Sequence, residues 1–167
     1  MLRCDLPFRQ ARPTGPPSLA TAARDREGLR HAVRAVRGLW AGRVFLGGIS
    51  YGGRQASMLA TADPGFVEAL LLLSYPLHRP GQPQALRTDH FPGLRTPSLF
   101  IHGTRDPFGA IDELEAARAL IPARTALLVV DGAGHDLGYG RSAGARRDLP
   151  ARVLQAFAEL IRKSTTS

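Results

Sequence analysis

The sequence predicts an α/β protein, a parallel sheet with helices on both faces. Three observations carry this. Short apolar runs alternate with helical patterns at the spacing of βαβ units. The central runs lack the polar alternation of a half-exposed strand, as expected where both sheet faces are covered. Each run ends in a cluster of Gly, Asp, Ser or Pro, the residues of tight turns.

Taken in order, Met1–Cys4 reads as the tail of a short strand that ends by Pro7 and Phe8, and a Pro-rich loop spans 13–18. From Leu29 the positions Ala32, Val33, Val36, Leu39 and Trp40 step by three and four, with Arg30, Arg34 and Arg37 opposite. That is an amphipathic helix, with Gly42 as the expected stop. Residues 43–49 are a strand, covered on both faces, and a helix begins at Tyr51 and stops at Asp63-Pro64-Gly65. Residues 69–74 form the next buried strand. The stretch from Pro76 to Pro97 carries too many prolines for regular structure. Residues 98–102 and 126–130 are strands around a helix at 111–121. A Gly- and Arg-rich loop leads to a last helix from Asp148, with Pro150 in its first turn and Val153, Leu154, Phe157, Leu160 and Ile161 facing inward. One domain over 1–163 is expected, with 164–167 as a frayed tail.

Composition narrows the function classes. Lys+Arg 22 against Asp+Glu 14 gives a net charge of +8, which raises nucleic acid as a partner. The arginines, however, are scattered over helices and loops, Lys163 is the sole lysine, and no nucleic-acid-binding signature is present. Neither nucleic acid nor a membrane is therefore expected as a partner. Cys4 is the only cysteine, which excludes an intrachain disulfide and makes a cytoplasmic setting the expectation. No apolar run approaches the ~18 residues of a membrane span.

The chemistry centres on Gly48-Ile49-Ser50-Tyr51-Gly52, which fits G-x-S-x-G between a strand and a helix. In that setting the serine occupies a sharp turn that lifts its hydroxyl above the sheet. Side chains at 48 and 52 are expected to collide there, so a branched residue at Gly52 should impair folding. Functional groups of such a sheet gather at the carboxyl ends of its strands. Ser50, Asp106 and His135 each follow a strand, in the order Ser, Asp, His. An Asp or His after a strand is, taken singly, an ordinary turn residue or solvated loop residue; all three together supply a nucleophile, its base and the group that orients the base. Asp131 and Asp136 flank His135 too closely for a separate orienting role. His31 and His78 are expected to be solvated and His102 to be a packed strand residue, while His90 in the long loop is a candidate for lining a substrate cleft.

The segments Gly47-Gly48-Ile49-Ser50-Tyr51-Gly52-Gly53-Arg54, Phe100-Ile101-His102-Gly103-Thr104-Arg105-Asp106-Pro107-Phe108-Gly109 and Gly132-Ala133-Gly134-His135 resemble the α/β-hydrolase superfamily. More narrowly, with Leu2 to Arg9, they are similar to its dienelactone-hydrolase-like branch, which includes the testis-expressed hydrolase-like proteins. Dienelactone hydrolases proper have a cysteine where this chain has Ser50. The resemblance implies an α/β-hydrolase-type sheet and hydrolysis of a small ester or related acyl compound by a carboxylesterase-like serine enzyme, with no cofactor. A non-catalytic hydrolase-fold binding domain is the alternative. The Tyr51 backbone N–H is the one oxyanion donor assignable. The family's second donor comes from a loop after an earlier strand, for which the sequence has no counterpart, so the chain is expected to lack the N-terminal strands of the complete fold and to be unstable and nearly inactive without them.

Overall fold

The computed structural model describes residues 1–139 and 147–162. The expected frayed tail and part of the Gly/Arg-rich loop lie outside the described residues. Among the described residues, four strands, β1 (Phe45–Ile49), β2 (Ala69–Leu73), β3 (Ser98–Gly103) and β4 (Thr125–Val130), form one parallel sheet in the order β1-β2-β3-β4. Five α-helices among these residues accompany it: α1 (Pro7–Ala11), α2 (Ala22–Leu39), α3 (Tyr51–Ala62), α4 (Ile111–Arg118) and α5 (Leu149–Arg162). Among the described residues no helix is long and apolar enough to cross a membrane.

Strand alternation sends even-numbered residues of β2 and β3 to one face and odd-numbered ones to the other. Leu70, Leu72 and Phe100 meet Leu29 and Val33 of α2, Ala56 and Leu59 of α3, and Leu114 of α4 in the larger core. Leu99 and Ile101, with Leu71 and Leu73, pack on Leu149 and Leu160 of α5. Tyr75, Phe91 and Phe100 form a buried aromatic group with ring centroids 5.3–6.2 Å apart, which pins the long loop to the sheet.

Several expectations are corrected. Met1–Cys4 is not a strand: these residues are exposed and belong to none of the paired strands of the sheet. Pro7 instead opens α1, which its fixed φ suits. α2 starts at Ala22 rather than Leu29; its first turns are held by Asp25, fully buried, which accepts hydrogen bonds from the Phe8 N–H at 2.8 Å and the Tyr51 hydroxyl at 2.8 Å. A buried carboxylate breaks an apolar pattern, so the periodicity became visible only beyond it. The helix ends at Leu39, before Gly42, and α4 ends at Arg118. β1 is not covered on both faces. It is an edge strand with Phe45 37% and Ile49 54% exposed. Leu154 of α5 points to solvent at 70% exposure. His78 is buried rather than solvated: both ring nitrogens meet acceptors, Nδ1 the Arg79 carbonyl at 2.8 Å and Nε2 the Glu113 carboxylate at 3.1 Å. Those contacts, the carbonyl first, raise its pKa from the ordinary 6.5.

Candidate active site

Ser50 sits between β1 and α3 with φ 52° and ψ −121°, a conformation that an L-residue adopts only under constraint. The constraint is visible on both sides. The Ser50 N–H donates to the Leu73 carbonyl at 2.8 Å, and the Ser50 carbonyl accepts from the Arg54 N–H at 3.1 Å. Strand and helix approach so closely that a Cβ on Gly48 would lie 2.5 Å from the Gly52 carbonyl carbon, and one on Gly53 would lie 2.7 Å from the Gly48 oxygen. The expectation for Gly52 is corrected: a Cβ there meets nothing within 4 Å. It projects away from the turn, and the closely packed pair is Gly48 and Gly53.

The sheet brings all three sequence-predicted side chains together at its carboxyl end. His135 Nε2 lies 2.8 Å from Ser50 Oγ, and His135 Nδ1 lies 2.8 and 3.0 Å from the two oxygens of Asp106. A carboxylate only accepts, so Nδ1 carries the proton and Nε2 is left to accept from the serine hydroxyl. Asp106 has no exposed side-chain surface and also accepts from the Phe108 N–H at 2.9 Å. The Phe108 ring lies 4.2 Å from that of His135, tilted by 34°. The loop carrying His135 is tied to the loop carrying Asp106 by the Arg105 N–H, which donates to the Ala133 carbonyl at 2.8 Å. The competing acids are occupied locally: Asp131 accepts from Thr104, and Asp136 from the Gly138 N–H.

Tyr51 is the first residue of α3, where a backbone N–H has no acceptor within its own helix. Its phenol leans away to Asp25, and burial together with that carboxylate pushes its pKa up. His102 is fully buried, as expected, and donates from Nε2 to the Gly109 carbonyl at 2.8 Å; the carboxylate of Asp106 is 3.8 Å away.

His90 reaches back to α3. Its Nε2 lies 2.8 Å from Ser57 Oγ and 3.5 Å from the Tyr75 hydroxyl, so this nitrogen ties the long loop to the helix behind Ser50. Burial, and then the neighbouring Arg54 charge, lower its pKa to about 4. Sequence reasoning did not single out Asp25, Phe108 or Arg54. Only Arg54 left a signal, a charge one turn after the serine. Among the described residues, no three His, Cys, Asp or Glu side chains are gathered as metal ligands.

A family model described as an alpha/beta hydrolase domain matches residues 12–164. Among solved structures, the chain resembles an alpha-beta serine hydrolase homologue from Coxiella burnetii at 18% identity and TM-score 0.59, covering 90% of this chain and 62% of that one. It resembles Est1E from Butyrivibrio proteoclasticus at 15% identity and TM-score 0.66, over 84% and 71%. A dienelactone hydrolase from Anabaena variabilis matches at 22% identity and TM-score 0.62, over 85% and 60%. At such identities the likeness is one of fold. The chain spans about three fifths of the length of the first and third of these structures.

Two outcomes are expected of this geometry. Gly48→Ala should lower the urea midpoint by the equivalent of about 1–3 kcal/mol, because its Cβ meets backbone that must move. Gly52→Ala should leave the midpoint unchanged or raise it, since alanine favours a helix by about 1 kcal/mol over glycine; equal losses in both would contradict the assignment. The second outcome concerns His90, whose folded pKa lies below its ordinary 6.5. The unfolded state then binds the proton more readily, so stability is full above pH 6.5 and is lost as pH falls towards 4. His90→Gln should flatten that part of the stability profile in acid titrations followed by circular dichroism.

Proposed function

Because this chain belongs to the α/β-hydrolase domain family, we propose that it is a serine hydrolase that cleaves a small ester or related acyl compound through an acyl-Ser50 intermediate. The observation that carries this reading is the file of contacts from Ser50 Oγ through His135 to the buried Asp106, each step 2.8 Å. In this reading Ser50 Oγ attacks the acyl carbon while His135 Nε2 takes its proton, and Asp106 stabilises the imidazolium. The Tyr51 N–H donates to the oxyanion. Collapse of the tetrahedral intermediate expels the alcohol, which takes the proton back from His135. Water then attacks the acyl carbon, gives a proton to His135, and releases the acid as that proton returns to Ser50. The step sequence balances without a cofactor, and its partner is a small molecule. We place the chain in the dienelactone-hydrolase-like branch that includes the testis-expressed hydrolase-like proteins, and in the cytoplasm.

A fluorophosphonate probe should label Ser50, and Ser50→Ala should abolish the labelling. Turnover in a panel of short- and long-chain esters should vanish alike in Ser50→Ala and His135→Ala, because the triad acts as a unit. Asp106→Asn should cost ~10⁴-fold, through the wrong imidazole tautomer. An unlabelled but folded protein would overturn the reading and favour a non-catalytic binding domain.

The edge of β1 motivates a second step of the proposal. Phe45 and Ile49 remain exposed on a strand that is paired on one side only, and open apolar edges are sticky. We propose that a strand outside these residues pairs there and that the loop following it supplies the second oxyanion donor. A longer chain containing such a strand should turn over esters ~10²–10³-fold faster than the 167 residues alone. Equal, full activity of a monomeric short form would sink this step.

A further inference from the structure

Phe108 is an aromatic residue that the apolar cores do not use. It is half-buried and belongs to neither core cluster. Its ring lies instead on the imidazole of His135, with centroids 4.2 Å apart and planes tilted by 34°. The other aromatic pairs among the described residues are more distant and steeper, with centroids 5.1–6.2 Å apart and planes at 55–86°. Rings that pack the scaffold therefore meet edge-on or steeply tilted, whereas the ring at the base of the triad turns its face to its partner.

The turn that carries Phe108 is pinned at each of its residues. The Phe108 N–H donates to Asp106 Oδ1 at 2.9 Å, and the Phe108 carbonyl accepts from the His78 N–H at 3.2 Å. The next carbonyl, that of Gly109, accepts from His102 Nε2 at 2.8 Å, and the Ala110 N–H donates to Glu113 Oε2 at 2.7 Å. The same Glu113 oxygen meets His78 Nε2 at 3.1 Å, so His78 grips the turn with backbone and side chain at once. Leu77 closes it from the side: a Cβ on Gly109 would lie 3.0 Å from Leu77 Cδ1. Phe108 thus touches the acid through its backbone and the base through its ring, and neither contact is free to drift.

A neutral imidazole gains only dispersion and weak ring–ring attraction from such a contact. An imidazolium is drawn in addition by the negative face of the ring, an attraction effective within ~6 Å of its centroid. The reaction of the preceding subsection charges His135 twice, once when Ser50 Oγ gives up its proton and again when water does. We propose that Phe108 is a positioning residue of the triad, whose ring face stabilises the His135 imidazolium while Asp106 holds its Nδ1 edge. An attraction that grows as the charge forms is stronger in the transition state than in the ground state, and so it raises kcat. This rests on the serine-hydrolase reading, because it is that reaction that charges His135.

The test uses the full chain and places at position 108, by amber suppression, phenylalanines carrying one, three and five ring fluorines. Fluorine withdraws negative charge from the ring face and scarcely changes its size. Both kcat for 4-nitrophenyl butyrate and the rate at which a fluorophosphonate labels Ser50 should fall step by step along the series, by about 3- to 30-fold at five fluorines, with KM unchanged. Phe108→Leu should fall as far as the pentafluoro form and Phe108→Tyr should stay near the parent, while urea titration checks that each is folded. A flat fluorine series beside an impaired Phe108→Leu would mean that the ring only fills space, and would overturn the inference. Losses confined to KM would overturn it too, since they belong to a ring that binds substrate. A parent that the fluorophosphonate does not label rejects the hydrolase reading and this inference with it; a labelled parent with a flat series rejects this inference alone.

Discussion

A serine held at φ 52° is the constraint on which the rest of this structure depends. That backbone conformation costs ~1–3 kcal/mol for a residue with a side chain, and it persists only because strand and helix are locked on either side of it. The lock is made of absent side chains at Gly48 and Gly53, a bond from the serine N–H to β2, and the first turn of α3. Everything that packs α3 against the sheet, Ala56, Leu59 and Ala60 above all, therefore also holds the hydroxyl in the orientation that faces His135.

The polar groups around α3 extend the same lock. Asp25 joins α1, α2 and Tyr51 through three separate donors, Phe8, Thr21 and Tyr51. His90 fastens the long loop to Ser57, and His78 fastens it to Glu113, which also caps α4 by accepting from the Ala110 N–H. A loop with so many prolines has little regular hydrogen bonding of its own, so a few buried side-chain bonds, together with Tyr75 and Phe91 in the aromatic group, fix where it lies. The loop thus belongs to the scaffold at its base.

The candidate triad was legible because each member lies just past an apolar strand, in a turn whose Gly, Asp and Pro residues mark the strand's end. Parallelism followed from the same spacing. What escaped was whatever depends on partners distant in sequence. Met1–Cys4 has the composition of a strand, but a strand exists only beside another. His78 reads as a loop histidine until Glu113, 35 residues later, comes to meet it. Asp25 looks like a helix-surface acid, and only its three donors explain its burial. Leu154 fits an apolar stripe, yet α5 covers less of the sheet than its stripe is wide. Gly52 shares the motif with Gly48 but points away from the turn, a distinction that residue spacing alone does not contain.

The strand that leads to Ser50 is an edge of the sheet, as is β4, which leads to His135. β2 and β3 are paired on both sides, whereas β1 has only β2, and its outer residues Phe45 and Ile49 stay in contact with solvent. Phe45 meets the ring of Phe157 from α5, edge-on at 5.3 Å. An edge strand opens locally at lower cost than a central one, and here that opening would carry Ser50 with it. Asp106 follows the fully buried β3, and the loop carrying His135 is held to the Asp106 loop by the Arg105 to Ala133 bond. Ser50 and His135 thus both follow edge strands, and Asp106, after the central β3, is the member whose strand is paired on both sides. A strand laid against the edge of β1 would act directly on how constantly Ser50 Oγ stays within hydrogen-bonding reach of His135.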